Sequence, residues 1–314
     1  MSDHLLTKDQ SRAGFSAGAE PVLRVRAGAG DRITFETDDL AYAQMEQFRD
    51  LAQVSATINP VTGPVFVEGA EPGDVLAVTV HDIALAEQGW SISIPGAGAL
   101  AQVMGPEFFV RRVPVRDGRV QLTPSLDCAV APMIGCLGVA PADRDGSTVM
   151  PTLPTGGNMD LTDAAPGSTV YLPVQVPGAL LSIGDLHAVM ARGESSFVAI
   201  EAAGRATVSV DVVKGRTIRG PQLDTGSEYL CVGLGDPVQE SVQMAYESLF
   251  SVMVDEHGWD PGDAYVVMSA LAHTELGGPT GSVDPDPLHP FRAVGAVTVA
   301  RIAIEVLRSG GRPR

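Results

Sequence analysis

Lysine is almost missing from this 314-residue chain: Lys8 near the N-terminus and Lys214 in VVKGRT are its only two. Catalytic designs that depend on a buried lysine, beside Cys and Glu or beside a Ser set among Gly and Ser, are thereby disfavoured. GxSxG and P-loop patterns are also missing, which disfavours an α/β-type serine hydrolase and an NTPase. Cysteine is scarce, and Cys128, Cys136 and Cys231 form no CxxC group. Such an odd, dispersed set suits a reducing compartment better than a disulfide framework, so a cytoplasmic location is expected. Basic charge is short: 21 Lys and Arg against 38 Asp and Glu leave a net charge of −17, which argues against a nucleic-acid partner. The N-terminal MSDHLLTKDQSRAG has mixed charge and no apolar run of signal-peptide length, so no targeting segment is expected. The longest uncharged stretch, Ala164 to Gly184, contains Pro166, Pro173 and Pro177, which exclude a spanning helix and argue against a membrane partner.

What is present is apolar and full of breakers. Apolar residues make up 45% of the chain, and 35 glycines and 23 prolines are spread along it. This favours short strands joined by turns over long helices. Runs such as VLRVRA, DRITFET, GPVFVEG, DVLAVTVHDI and TVSVDVV alternate as strands do. A Pro-Gly device recurs at Glu71–Val80, Ala165–Val176 and Asp260–Leu271. The first two read as type II turns into strands, whereas AYVVMSALA in the third lacks alternation and reads equally as a short buried helix. GLGDPVQESVQMAYESLFSVMVDEHG has helical spacing, with Asp236 as N-cap, Pro237 at N1 and Gly258 as a stop. VGAVTVARIAIEVL is expected as a final strand. The expected fold is α+β and β-rich, a jelly-roll-like β-sandwich with a smaller C-terminal part. Its expected divisions are an arm at 1–20, a site-bearing sandwich domain at 21–225 and an α+β part at 226–314.

Histidines and carboxylates remain as candidates for chemistry. His273 and His289 lie in HTELGGPTGSVDPDPLHP, which reads as a surface loop or a lid. His187 stands in GALLSIGDLHAVMARGE with Asp185 and Glu194 close by. Asp185 and His187, two apart, share a face of an extended strand, and a turn at Gly193 returns Glu194 towards them. Either this is a metal ligand, an orienting acid and a proton acceptor, or it is a strand-end pair satisfied by backbone with Glu194 in solvent. Asp160 after GGN, with Asn158 beside it, reads equally as a ligand-approaching loop or a plain turn. Asp38 and Asp39 read first as a solvated turn, and Glu68 as a strand end, functional or exposed.

Four blocks, NPVTGPVFVEGAEPGD (59–74), PMIGCLGVAP (132–141), PTGGNMD (154–160) and GALLSIGDLHAVMARGE (178–194), together resemble the acetamidase/formamidase family, in order and in spacing. The resemblance runs from about Val22 to Leu271. It implies a sandwich-based α+β fold, a homodimer or higher homo-oligomer, and hydrolysis of short amides to carboxylate and ammonia. It also implies a divalent metal, zinc first with calcium or magnesium as alternatives. Carried over by position, it makes Asp39, Asp160 and His187 the metal ligands and Asn158 and Gln44 substrate-binding groups. Glu194, Glu68 and Asp185 become the catalytic acids, Glu194 or Glu68 taking the proton from the activated water. Where the family often has GDGE this chain has ARGE, so Arg192 points to an altered preference, towards anionic substrates. The alternatives are a lactam-hydrolysing relative, a non-catalytic cation- or ligand-binding sandwich, and a metal-free enzyme with Cys136 as nucleophile.

Overall fold

The structure is a computed structural model that describes residues 2–150, 152–278 and 296–310. Its framework is a large, mainly antiparallel sheet, and the fold is α+β and β-rich. Two long strands form its spine: Val75–Ser93 pairs with Ile200–Val213, from Val75 opposite Val213 to Trp90 opposite Glu201. Their alternating apolar residues, Leu76, Val78, Val80, Val208 and Val210 among them, enter one core with Phe35, Val65, Leu137, Leu172 and Leu181. Each such buried side chain stabilises the fold by roughly 1.5–3 kcal/mol, which fixes the register of the strands that supply them.

The strand that positions the site is Leu181–Val189. It is buried along almost its whole length because three neighbours flank it, Met133–Gly138, Val61–Glu68 and the start of Ile200–Val213. A strand covered on both faces tolerates polar residues only where they find partners or serve a purpose.

The Pro-Gly device resolves in two ways. At Glu71–Asp74 and at Ala165–Ser168 a turn closes, with Asp74 N donating to Glu71 O and Ser168 N to Ala165 O. Gly73 and Gly167 take the positive φ, 95° and 96°, and strands follow at Val75 and Thr169. At Asp260 the side chain instead accepts from Gly262 N and Asp263 N, capping the helix Pro261–Leu271. The second helix, Val238–Ser251, begins where expected, but Pro237 rather than Asp236 occupies the cap position. It lies so close to the strand Glu228–Gly235 that a Cβ on Gly233 would stand 1.8 Å from Ser241 O. These helices and the strand Ala296–Ala303 enclose a second core around Leu249, Met253 and Trp259.

Three expectations are corrected. Residues 1–20 do not form a separate arm: Asp3–Leu6 pairs with Arg32–Glu36, and Ser11–Arg12 pairs with the strand at Val61. The division at 225 falls inside a hairpin, Asp224 facing Tyr229 in the same sheet. The last strand ends at Ala303, and Ile304–Ser309 is helical. Of the stretch His273–Pro290, residues His273–Leu276 form a strand paired with Ala296–Ala303, while His289 lies outside the described residues. Among the described residues no helix is long and apolar enough to cross a membrane.

Candidate active site

The register of three adjacent strands assembles the site. His187 faces Met133 on one side and Glu201 on the other. Asp185 sits between the Ile134–Leu186 and Cys136–Gly184 pairs, against Gly135. The same Gly135 holds the next loop, because its carbonyl accepts from Met159 N at 3.0 Å and from Asp160 N at 3.1 Å. Gly135 is required there for space: a Cβ on it would lie 2.6 Å from Asp160 Oδ1 and 2.6 Å from Asp185 Oδ2.

Four polar side chains of this region hang from backbone in the left-handed region, Asn59 (φ 48°), Asp160 (φ 46°), Asp185 (φ 58°) and Glu194 (φ 37°). That conformation costs an L-residue of order 1–3 kcal/mol, and it persists where the surroundings hold it and where it aims a side chain usefully. Here each one aims into the same place.

His187 Nε2 lies 3.3 Å from Glu201 Oε2, 3.5 Å from Asp185 Oδ1 and 3.7 Å from Asp160 Oδ1. Ligand atoms of Asp160, Asp185 and His187 fall within 4.8 Å of one another, as do those of His187, Glu194 and Glu201. All five residues are buried. Tyr42 Oη donates to Asn59 Oδ1 at 2.6 Å, and Asn59 Nδ2 donates to Asp185 Oδ2 at 3.2 Å, so the far side of Asp185 is fixed as well. The acids open onto a cavity of about 20 Å³ walled by Met45, Ile94, Phe197 and Val198, with Asn158 at its edge. That is room for about one water molecule.

Four buried carboxylates surround one imidazole, which lies within ion-pair reach of Asp160, Asp185 and Glu201 and is the one basic side chain so placed among the described residues. They cannot all ionise at low cost. Burial, then repulsion from Asp185, holds Asp160 well above the ordinary carboxylate range. Burial and the charge of Asp160 do the same to Glu194. Burial and Glu201 push Asp185 up to about 6. Glu201 resists burial through the charge and hydrogen bond of His187 and ends below its ordinary value. Burial works against a charged His187, but Glu201 and Asp185 outweigh it and raise its pKa well above the ordinary imidazole value.

The donor set also fits a divalent cation. Both oxygens of Asp160, Oδ1 of Asp185 and Nδ1 of His187 are buried without a hydrogen-bond partner among the described residues. Orphaned carboxylate oxygens are costly in a protein interior, and a cation among them removes the cost and favours their ionised forms.

The structure thus brings together Asp160, Asp185, His187, Glu194 and Asn158, and it does not bring Asp39, Gln44 or Glu68 into that group. Asp39, expected as a ligand, stands at the N-cap position of the helix Leu40–Phe48 without capping it, and its carboxylate accepts from Trp90 Nε1 at 2.7 Å. Gln44, expected to touch substrate, accepts from Ser55 N and Ala56 N and so organises the loop after that helix. Glu68, expected as a catalytic acid, stands exposed at the end of its strand. Arg192 does not offer its guanidinium to the cavity, because Asp163 and Glu275 occupy it. Cys136 is fully buried, and burial together with Asp185 and Asp160 pushes its thiol well above the ordinary value, which argues against a nucleophilic thiolate.

Sequence reasoning missed Glu201, Asn59, Tyr42 and Gly135. Glu201 lies 14 residues beyond His187 and reaches it only across the strand pair. Asn59 and Gly135 sit inside the blocks NPVTGP and PMIGCLG, where their residue types were the available signal.

These features define a class: a β-rich α+β protein with a buried carboxylate–imidazole centre in a small apolar-walled cavity. The model of the Acetamidase/Formamidase family matches residues 17–144 and 111–272, and the chain belongs to this family. A solved acetamidase from Bacillus halodurans is 27% identical with a TM-score of 0.85, covering 98% of this chain and 100% of that one. Acetamidase of Mycolicibacterium smegmatis is 31% identical over 222 residues, 51% of this chain and 55% of that protein. Formamidase of Methylophilus methylotrophus is 26% identical over 248 residues, 59% of this chain and 60% of that protein. The matches therefore span only about 55 to 60% of the length of these curated relatives.

Proposed function

We propose that this chain is an amidohydrolase that cleaves short linear amides of the formamide and acetamide type to carboxylate and ammonia, using water activated by a divalent ion, zinc first. The observation that carries this reading is the group of buried, unpartnered carboxylate oxygens of Asp160 and Asp185 around His187. Asp160, Asp185 and His187 would hold the ion, an oxygen and imidazole set that suits zinc. When bound, it would lower the pKa of water towards about 7 and polarise a carbonyl oxygen.

The chain's own residues supply the rest. Glu194 faces the cavity and binds a proton more tightly than an ordinary carboxylate. It accepts the proton that water loses as the new C–O bond forms, and delivers it to nitrogen as the C–N bond breaks, so that ammonia leaves instead of an amide anion. Asn158 Oδ1, buried and unpartnered, accepts an N–H of the substrate amide. Glu201 and the Tyr42–Asn59 pair keep His187 and Asp185 in place. The apolar side chains Met45, Ile94, Phe197 and Val198 that wall the cavity suit a short acyl group over a charged or polar one.

Ammonia release from formamide, acetamide, a branched amide and a lactam, before and after chelation, tests the reading. We expect turnover of the first two, at least about a tenfold loss on chelation, and recovery on adding zinc. Full turnover in ion-free protein would remove the ion from the mechanism. A metal-replete protein inert towards every amide would favour a binding module.

A further inference from the structure

Two separate loops deliver Asp160 and Glu194 to the cavity, and both residues sit on strained backbone. Each loop also carries a charged residue that points away from the cavity: Asp163, three residues after Asp160, and Arg192, two before Glu194. Arg192 grips Asp163 with both nitrogens, Nη1 to Oδ2 at 2.6 Å and Nη2 to Oδ1 at 3.0 Å. Its Nε lies 3.0 Å from Glu275 Oε2. Arg301 closes the ring, with Nη1 at 2.7 Å from the same Glu275 oxygen and Nη2 at 3.3 Å from Asp163 Oδ1, and it also pairs with Glu228.

The ring Arg192–Asp163–Arg301–Glu275 is therefore closed, with arginine and carboxylate alternating. Its lower half is anchored in the sheet, because Glu275 and Arg301 belong to the paired strands His273–Leu276 and Ala296–Ala303. The backbone repeats the connection: Gly193 N donates to Gly277 O at 3.0 Å, and Gly277 N donates to Val297 O at 2.8 Å. A Cβ on Gly278 would stand 2.9 Å from Met159 O, so the same strand end also abuts the Asp160 loop. Asp163 and Arg301 are buried, so removing Arg192 leaves the Asp163 carboxylate in the interior with Arg301 as its one remaining ring partner and frees it to shift towards that side. A bidentate guanidinium–carboxylate pair also fixes orientation, which a single contact does not.

We propose that Arg192 is a positioning residue, which through Asp163 and the anchored pair Glu275–Arg301 sets the separation and aim of Asp160 and Glu194 across the cavity. This rests on the reading of those two acids as working groups.

The test compares Arg192→Met, Arg192→Lys, Asp163→Asn and the double variant Arg192→Met/Asp163→Asn on acetamide. Arg216→Met serves as control, because Arg216 is likewise tied into a part-buried cluster with Glu256, Gln222 and Tyr229 but lines a different cleft. Arg192→Met should lower kcat by about 20- to 100-fold with KM changed less than about threefold, since misplacing a reacting group by about 1 Å costs on this scale. Arg192→Lys should recover part of kcat, and the double variant should be no worse than Arg192→Met by more than about twofold. Arg216→Met should lose thermal stability yet keep kcat within about twofold. A crystal structure of Arg192→Met should show the Glu194 carboxylate displaced by about 1 Å or more relative to Asp160. An Arg192→Met protein with parental kcat, or with Glu194 unmoved, would overturn the proposal. If the parent chain hydrolyses no amide, the functional reading fails, and the crystallographic displacement still decides the role of the ring.

Discussion

Replacing His187 by alanine is expected to lower kcat/KM for formamide by at least about a thousandfold, or roughly 4 kcal/mol of transition-state stabilisation. The size follows from geometry. His187 is the only basic group in reach of Glu201, Asp185 and Asp160 among the described residues, and it is the shared member of both groups that could hold an ion. Without it a bound ion would lose a donor, and in ion-free protein the carboxylates would lose the charge that keeps Glu201 ionised. The fold should survive, because the carboxylates can take up protons and the neighbouring strands remain paired through backbone. Steady-state kinetics with circular dichroism checks this, and a loss below about tenfold in a folded protein would count against a ligand role.

Gly135→Ala is expected to lower kcat by about a hundredfold or more, although the change adds a single methyl group at a position that touches no substrate. The methyl would lie 2.6 Å from a carboxylate oxygen of Asp160 and from one of Asp185, closer than such atoms can approach. Neither acid can swing aside freely, since Asp185 is held by Asn59 and the Asp160 backbone is bonded to the Gly135 carbonyl. Overpacking of this kind costs about 1–3 kcal/mol of stability, a modest loss beside the catalytic one. Parental kcat in Gly135→Ala would show that the two carboxylates do not work as a fixed pair.

Both effects depend on where strands pair, and this is where sequence reading reached its limit. Alternation in DVLAVTVHDI and TVSVDVV, the Pro-Gly turns and the helix beginning near Pro237 were legible because they arise from local preference. Asp185, His187 and Glu194 were legible as neighbours in one segment, and Asn158 with Asp160 through the GGN block. Glu201 was not, because its partnership with His187 is a matter of register between strands. The reverse error has the same cause. Asp39, Gln44 and Glu68 carry suitable chemistry, but a helix start facing Trp90, two loop N–H groups that share the Gln44 side-chain oxygen and an exposed strand end claim them. The apolar segment IEVL turned helical against its strand-like pattern, packing Ile304 and Leu307 into the second core. Strain was invisible too, since no local rule places an aspartate at φ 58° in the middle of a strand.

Anomalous diffraction at the zinc edge, on crystals of zinc-replete protein that releases ammonia from formamide, tests the central claim most directly. One peak is predicted among Asp160, Asp185 and His187, at about 2.0–2.2 Å from their donor atoms. Active crystals with no peak there would contradict the account.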